Sequence, residues 1–399
     1  MAPHNELIDN RRKNRITHPY LNLLEFATRE RTFLIIIGIA FIMAAFATLN
    51  WHFAMWLGFT FASYSAVAND SIQSLGTFIE SNKKRKWYIL WLFTGLILIV
   101  TISFSYFYFK GDVTYQRLLD DQGNTAYPHP ETFSFFQIIA PIVLLILTRL
   151  RMPVSTTFLL LSVFSASAEG ITSIVSKSIS GYLISFILSF VIWYAGYDLI
   201  RKYFKKRKAH VAWPIIQWAV SGALWSVWLM QDGANIAVFL PRKLEFYQFI
   251  IFTGTIFLGL GLLFYLRGDK IQEIVSEKVR ISDVRAATLV DFTYVLLLIY
   301  KLLDSTVPLS TTWVFLGVIG GREIAVNIAR NKKGMKHKRK ALGQIGRDLL
   351  YATIGLIISV ALASGANPLI RKEIMDFLSS LTDFSAFSWL AWWLPVYLR

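Results

Sequence analysis

The sequence predicts an all-α polytopic membrane protein built from two inverted-topology repeats, each with an interrupted helix and a re-entrant hairpin. Three observations carry that prediction. Apolar residues make up 55% of the 399, with runs near twenty residues long, more than a soluble core can hide. Basic clusters fall in short loops between those runs: KKRK at 83–86, RKYFKKRK at 201–208 and RNKKGMKHKRK at 330–340. Two polar motifs inside apolar stretches each occur twice.

The elements follow in order. Residues 1–32 are polar and basic, with Arg11, Arg12, Lys13, Arg15, Arg29 and Arg31 and no short apolar region before a small-residue cleavage site. This segment is expected to stay and to face the cytoplasm, which places the chain in the cell (inner or plasma) membrane. A first span at 33–50 leaves, a second at 51–79 returns to KKRK, and a third at 87–109 leaves again. It leads to a loop bearing Asp112, Asp120, Asp121 and Glu131, read as external. The apolar piece at 134–150 is stopped by Pro153 and followed by another at 157–168. At ~1.5 Å per residue neither crosses ~30 Å of hydrocarbon comfortably, so a hairpin at about 134–169 is expected. A span at 181–203 then ends in RKYFKKRK and closes repeat 1, which covers 51–209.

Repeat 2, 210–366, runs the plan upside down. Spans at 212–240 and 244–266 precede a hairpin at about 285–329, whose arms are 286–303 and 313–328. A span at 347–365 closes it, and the segment 367–399 ends in a Trp-rich stretch, a final helix or an interfacial anchor.

The duplicated motifs locate a candidate site. NDSIQ (Asn69, Asp70, Gln73) in the second span answers QDGAN (Gln231, Asp232, Asn235) in its counterpart, and PVSTTF at 153–158 answers PLSTTW at 308–313. Ser162, Ser165 and Ala166 likewise answer Gly317, Gly320 and Gly321, small residues that let helices approach closely. An ionisable residue inside a span is expensive and usually faces a cavity. Carboxylates beside amides and freed backbone carbonyls suit a hard cation, sodium at Asn69, Asp70, Asp232 and Asn235, or a proton held on a carboxylate. Gln73 and Gln231 belong to the same coupling set. A proline that stops one arm and hydroxyls that start the next put Ser155, Thr156 and Thr157, and Ser310, Thr311 and Thr312, at the positive ends of half-helices. Such ends hold anions; the plainer reading is two ordinary helix N-caps. Arg149 before the first tip corresponds to Asp304 before the second. The two are candidates for a gate that closes the site or draws anions inward, or else solvated residues of a vestibule.

Composition also removes classes of function. No residue is cysteine, so thiolate metal sites and disulfides are absent. The net charge of +16 is explained by loop anchors that set topology, without a nucleic-acid partner. His4, His18, His52, His129, His210 and His337 are scattered, and no P-loop occurs, so neither an enzyme nor ATP-driven transport is expected.

NDSIQSLGT, MPVSTTF, QDGAN and VPLSTTW resemble the inorganic phosphate transporter (PiT) family of secondary carriers, from about the second span to residue 365. The resemblance implies inverted repeats, two re-entrant hairpins, sodium- or proton-coupled uptake of phosphate (sulfate in some members) and commonly a homodimer. It also implies cation and anion contacts from Asn69, Asp70, Asp232 and Asn235, and anion contacts from the two Ser-Thr-Thr sets. The chain departs from the family at Gln73 and Gln231, where Asn is usual, and at Phe158 and Trp313, where His follows Ser-Thr-Thr. Site size and polarity change accordingly. Phosphate at neutral pH carries an O–H donor that sulfate lacks, so a site retaining two carboxylate acceptors favours phosphate. Three functions stay open in that order: cation-coupled phosphate symport by alternating access, sulfate permeation, and a non-transporting anion sensor or receptor. No cofactor beyond the coupling ion is expected, and the bilayer is the constant partner.

Overall fold

The computed structural model describes residues 28, 30–119, 126–150, 152, 154–204, 209–266, 283–304, 309–330 and 335–382. Every regular element among them is a helix. In chain order these are α1 (Arg31–Ala47), α2 (Trp51–Ser81), α3 (Trp87–Tyr108), α4 (Phe135–Arg149), α5 (Thr156–Leu161), α6 (Ala168–Ala195), α7 (Tyr197–Phe204), α8 (Ala212–Ala237), α9 (Phe246–Tyr265), α10 (Val284–Asp304), α11 (Thr311–Arg330), α12 (Met335–Ala366) and α13 (Pro368–Thr382). Six of them, α3, α6, α9, α10, α11 and α12, are long and apolar enough to cross a membrane. Large apolar side chains such as Ile36, Leu96, Ile187 and Leu258 stand exposed on α1, α3, α6 and α9. A surface of that kind is solvated by lipid tails, and the chain is an integral membrane protein.

Helix starts follow local chemistry. Asn50 caps α2 by accepting the Phe53 N–H at 2.9 Å, and Ser134 and Gln137 form a reciprocal capping box at the start of α4. The start of α6 uses a distant group: the Ala168 N–H donates to the Glu373 carboxylate on α13 at 2.8 Å. Asn367 also donates to the Ser165 carbonyl at 3.1 Å, which fixes the bend before α6.

Several boundaries differ from the sequence reading. The helices α2 and α8 are expected to be interrupted at NDSIQ and QDGAN, yet both run unbroken through them. The polar side chains there bond to other segments and do not compete with their own backbone, so the helical ladder survives. The arm after Ser155 is shorter than 157–168: α5 passes into a 3₁₀ turn at Ser162–Phe164, and α6 begins at Ala168, well before 181. Gly196 ends α6, and Tyr197–Phe204 form a separate helix. The span expected at 347–365 belongs to the longer α12. At ~1.5 Å per residue, the 21 residues of α10 and the 20 of α11 each reach about 30 Å, so length alone does not make the second pair re-entrant. Residues 1–27 and 383–399, Asp120, Asp121, Pro153, Pro308 and most of the 201–208 and 330–340 basic runs in side-chain detail lie outside the described residues.

Packing places the candidate site. α2 lies on α4 and α8 on α10; α3 lies on α8 and α9 on α2; α6 lies along α11 and α12 against α5. The α6–α11 contact is close because a Cβ at Gly317 would fall 2.6 Å from the Tyr182 carbonyl, and one at Gly321 would fall 2.2 Å from that of Phe186. The small residues of α11 therefore serve helix packing.

Candidate functional site

The two Ser-Thr-Thr segments meet inside the protein. Ser155, Thr156 and Thr157 at the start of α5, and Ser310, Thr311 and Thr312 at the start of α11, are all at most 2% exposed. Each serine caps its own helix: Ser155 Oγ accepts the Phe158 N–H at 3.1 Å, and Ser310 Oγ accepts the Trp313 N–H at 3.3 Å. A hydroxyl that accepts in this way still has its own O–H to donate. The Ser310 N–H donates to Ser178 Oγ of α6 at 2.8 Å. Contacts then cross between the tips. Thr157 Oγ1 donates to the Leu309 carbonyl and Thr312 Oγ1 to the Val154 carbonyl, each at 3.4 Å. The next residues, Phe158 and Trp313, meet edge to face with ring centroids 5.7 Å apart, an arrangement favoured by the ring quadrupoles.

The motif residues of α2 and α8 surround these tips. Asn69 Nδ2 donates to Asp70 Oδ1 at 2.8 Å, the Val154 carbonyl at 2.9 Å and Thr156 Oγ1 at 3.0 Å. Its own Oδ1 accepts from Thr148 of α4 at 3.2 Å. On the other side Asn235 Nδ2 donates to Asp232 Oδ1 at 2.7 Å and to Thr157 Oγ1 at 3.2 Å, while Thr157 Oγ1 lies 3.2 Å from Asp232 Oδ1. Hydroxyls also reach the two carboxylates within each half, Thr156 at Asp70 and Thr311 at Asp232. The Tyr294 hydroxyl of α10 donates to the Thr311 carbonyl at 3.0 Å. Gln231 Nε2 reaches the Leu298 carbonyl at 3.5 Å, and Gln73, one turn beyond Asn69 on α2, is buried.

The chemical balance of the centre is tilted toward acceptors. Asp70 and Asp232 are close enough to repel one another. Among the described residues five buried oxygens, Asp70 Oδ2, Gln73 Oε1, Gln231 Oε1, Asp232 Oδ2 and Asn235 Oδ1, have no hydrogen-bond donor. Buried acceptors of this kind are costly unless something positive or protic faces them. Among the described residues no three His, Cys, Asp or Glu side chains converge as a metal group. The oxygen set mixes two carboxylates with amides, hydroxyls and carbonyls, the donor chemistry of a hard monovalent cation. The Arg117 guanidinium, buried in the loop after α3 and bonded to the Leu302 carbonyl at 2.9 Å, acts on Asp232 from a distance.

All twelve motif residues thus lie in one buried region. Arg149 forms a two-pronged bond with Glu30 at 2.9 and 2.6 Å and lies over the Phe33 ring. The side chain of Asp304, its expected partner, is outside the described residues. Thr148, Tyr294, Ser178 and Arg117 carry no sequence signal of their own, because their roles depend on which helices become neighbours. Asp291 is different: a carboxylate in the apolar run of α10 was visible as an intramembrane charge. It lies 1% exposed between Thr77 and Ser221.

No protein-family model, curated protein or solved structure matches this chain.

Proposed function

We propose that the chain is a secondary active transporter of a small tetrahedral oxyanion, inorganic phosphate in first place. It works as a symporter with sodium or protons and is a divergent relative of the inorganic phosphate transporters. The observation that carries the reading is the crossed pair of contacts between the two Ser-Thr-Thr tips, flanked by Asp70 and Asp232. Matched packing pairs support two inverted repeats: α2 on α4 as α8 on α10, α3 on α8 as α9 on α2, and α12 on α5 as α6 on α11. Burial of both tips inside the protein supports re-entrant hairpins at 134–169 and 285–329, since a tip that reached bulk water would be exposed.

In this mechanism Thr156, Thr157, Thr311 and Thr312, with the outward O–H groups of Ser155 and Ser310, donate to the anion. The unpaired oxygens of Asp70, Gln73, Gln231, Asp232 and Asn235 hold the coupling cation and accept the anion's own O–H. That surplus of acceptors favours protonated phosphate over sulfate, which has no proton to give. The cation offsets the anion's charge and relieves the repulsion between the two aspartates, so only the fully loaded site is stable enough to exchange exposure.

The test is uptake of labelled phosphate and sulfate by purified protein in liposomes, with sodium and proton gradients imposed separately. The expected result is gradient-dependent phosphate uptake that excess sulfate does not displace and that Asp232→Asn abolishes. Preferred sulfate uptake would replace the substrate, and binding without uptake would support a sensor.

A further inference from the structure

We propose that Asp291 is a proton-binding site separate from the Ser-Thr-Thr centre, exchanging its proton with the aqueous face that carries Lys83 to Lys86. Asp291 projects from α10 between α2 and α8, where Thr77 Oγ1 bonds to Oδ1 and Ser221 Oγ bonds to Oδ2 at 2.6 Å. Thr77 stands seven residues beyond Asp70 on α2, and Ser221 eleven before Asp232 on α8. At 1.5 Å per residue these are displacements of about 10 and about 16 Å from the central carboxylates.

Among the described residues the groups bonded to this carboxyl are two neutral hydroxyls, with no cation among them. The titratable groups on the helices packed against α10 are His52, Tyr64, Asp70 and Glu80 on α2, Asp232 on α8, Arg322, Glu323 and Arg330 on α11, and Glu169, Lys177, Tyr182 and Tyr194 on α6. α10 itself adds Arg285, Tyr294, Tyr300, Lys301 and Asp304. Arg285 is held by Asp283 at 2.7 Å, Glu80 by Lys83 at 2.9 Å, and Arg322 lies over the Trp193 ring; the hydrogen-bond partners of Asp291 are the two hydroxyls. An ionised carboxylate so placed carries a desolvation cost of several kcal/mol without a compensating charge. Protonation removes that cost. A hydroxyl can donate to the carboxylate or accept from the acid, so Thr77 and Ser221 satisfy both forms. Four oxygens, two of the carboxyl and two of hydroxyls, fall short of the roughly six that an oxygen-bound hard cation gathers.

A file of polar groups connects this carboxyl to the end of α2. Ser81 Oγ donates to the Thr77 carbonyl at 2.6 Å and accepts from Gln217 Nε2. Gln217 Oε1 accepts from Asn82 Nδ2 at 3.1 Å, and Asn82 Oδ1 accepts from Trp218 Nε1 at 3.1 Å. Asn82 ends α2 beside the exposed Lys83. This file is the polar wall along which a proton approaches; one O–H bond forms on Asp291 as hydronium from that face becomes water.

The test is an infrared difference spectrum of substrate-free purified protein against Asp291→Asn at neutral pH, which reads protonation whether or not the chain transports phosphate. The expected spectrum has a carboxylic-acid carbonyl band in the wild type that shifts in D₂O, moves in Ser221→Ala and is indifferent to sodium. A purely carboxylate difference overturns the proposal, as does a band that saturating sodium erases. If Asp291→Asn fails to fold, the acid band of the wild type is assigned by its shift in Ser221→Ala and Thr77→Val, and an unmoved band in both overturns the assignment.

Discussion

Thr157 and Thr312, 155 residues apart in sequence, make the same bond in opposite directions: each hydroxyl reaches 3.4 Å to the carbonyl that precedes the other's serine. The two differ in what else they touch. Thr157 also meets Asp232 and Asn235 at 3.2 Å, while among the described residues the hydroxyl of Thr312 meets that carbonyl.

That asymmetry sets the first prediction. Bonds to charged groups are worth about 1.5–3 kcal/mol each, so Thr157→Ala should lower phosphate affinity about 10- to 100-fold, and Thr157→Ser should restore it. Thr312→Ala removes one anion donor and leaves the Thr157–Asp232–Asn235 cluster intact, so its loss should be the smaller of the two. Binding isotherms on purified protein compare the three variants; equal losses at both threonines would refute the proposed roles.

The two central aspartates predict opposite effects on function and stability. Asp70 is fully buried near a second buried carboxyl, Asp232, so Asp70→Asn removes the cost of burying an ionisable group there. The variant should melt at or above the wild-type temperature without ligand and yet lose coupled uptake. Thermal melts with and without sodium check this, and a clear drop in the ligand-free melting temperature would contradict it.

Close approach of α6 and α11 predicts a sharp positional contrast. A methyl group at Gly321 would meet the Phe186 carbonyl at 2.2 Å, whereas one at Gly254 meets nothing within 4 Å. Gly321→Ala should destabilise the protein by about 1–3 kcal/mol, while Gly254→Ala should be neutral or slightly stabilising. Denaturation of the two variants side by side gives the comparison.

Arg149, half-buried, and Glu30, buried, form an ion pair at 2.6 Å. Glu30→Gln and Arg149→Gln should each lower the melting temperature, and the double exchange Glu30→Arg with Arg149→Glu should recover part of the loss.

The loop between α3 and α4 predicts a pH dependence. Burial and the neighbouring Arg242 push His129 down from 6.5 to about 4, with its Nε2 3.2 Å from the Phe239 carbonyl. A base whose folded value is depressed binds its proton more readily when unfolded. The stability it contributes is therefore full above about 6.5 and falls away as pH drops toward 4. Melting temperature should decline over that window and decline less in His129→Gln.

The sequence by itself determined where the apolar spans lie, that Ser155 and Ser310 begin helices, and which aspartates sit at matched places. Those are local properties: hydropathy over a helix length, a proline ahead of hydroxyls, and a motif repeated in register. Tertiary structure alone decided that the two tips meet, because a contact such as Thr157 with Leu309 spans 152 residues and depends on how α6, α8 and α12 stack. It also decided that α2 and α8 stay unbroken, since Asn69 and Asn235 find partners on other segments that no local reading could supply. Arg149 chose Glu30, and Glu373 reached the start of α6, for the same reason. Inside a membrane a polar group bonds to whatever packing brings within reach, and packing is a property of the whole chain.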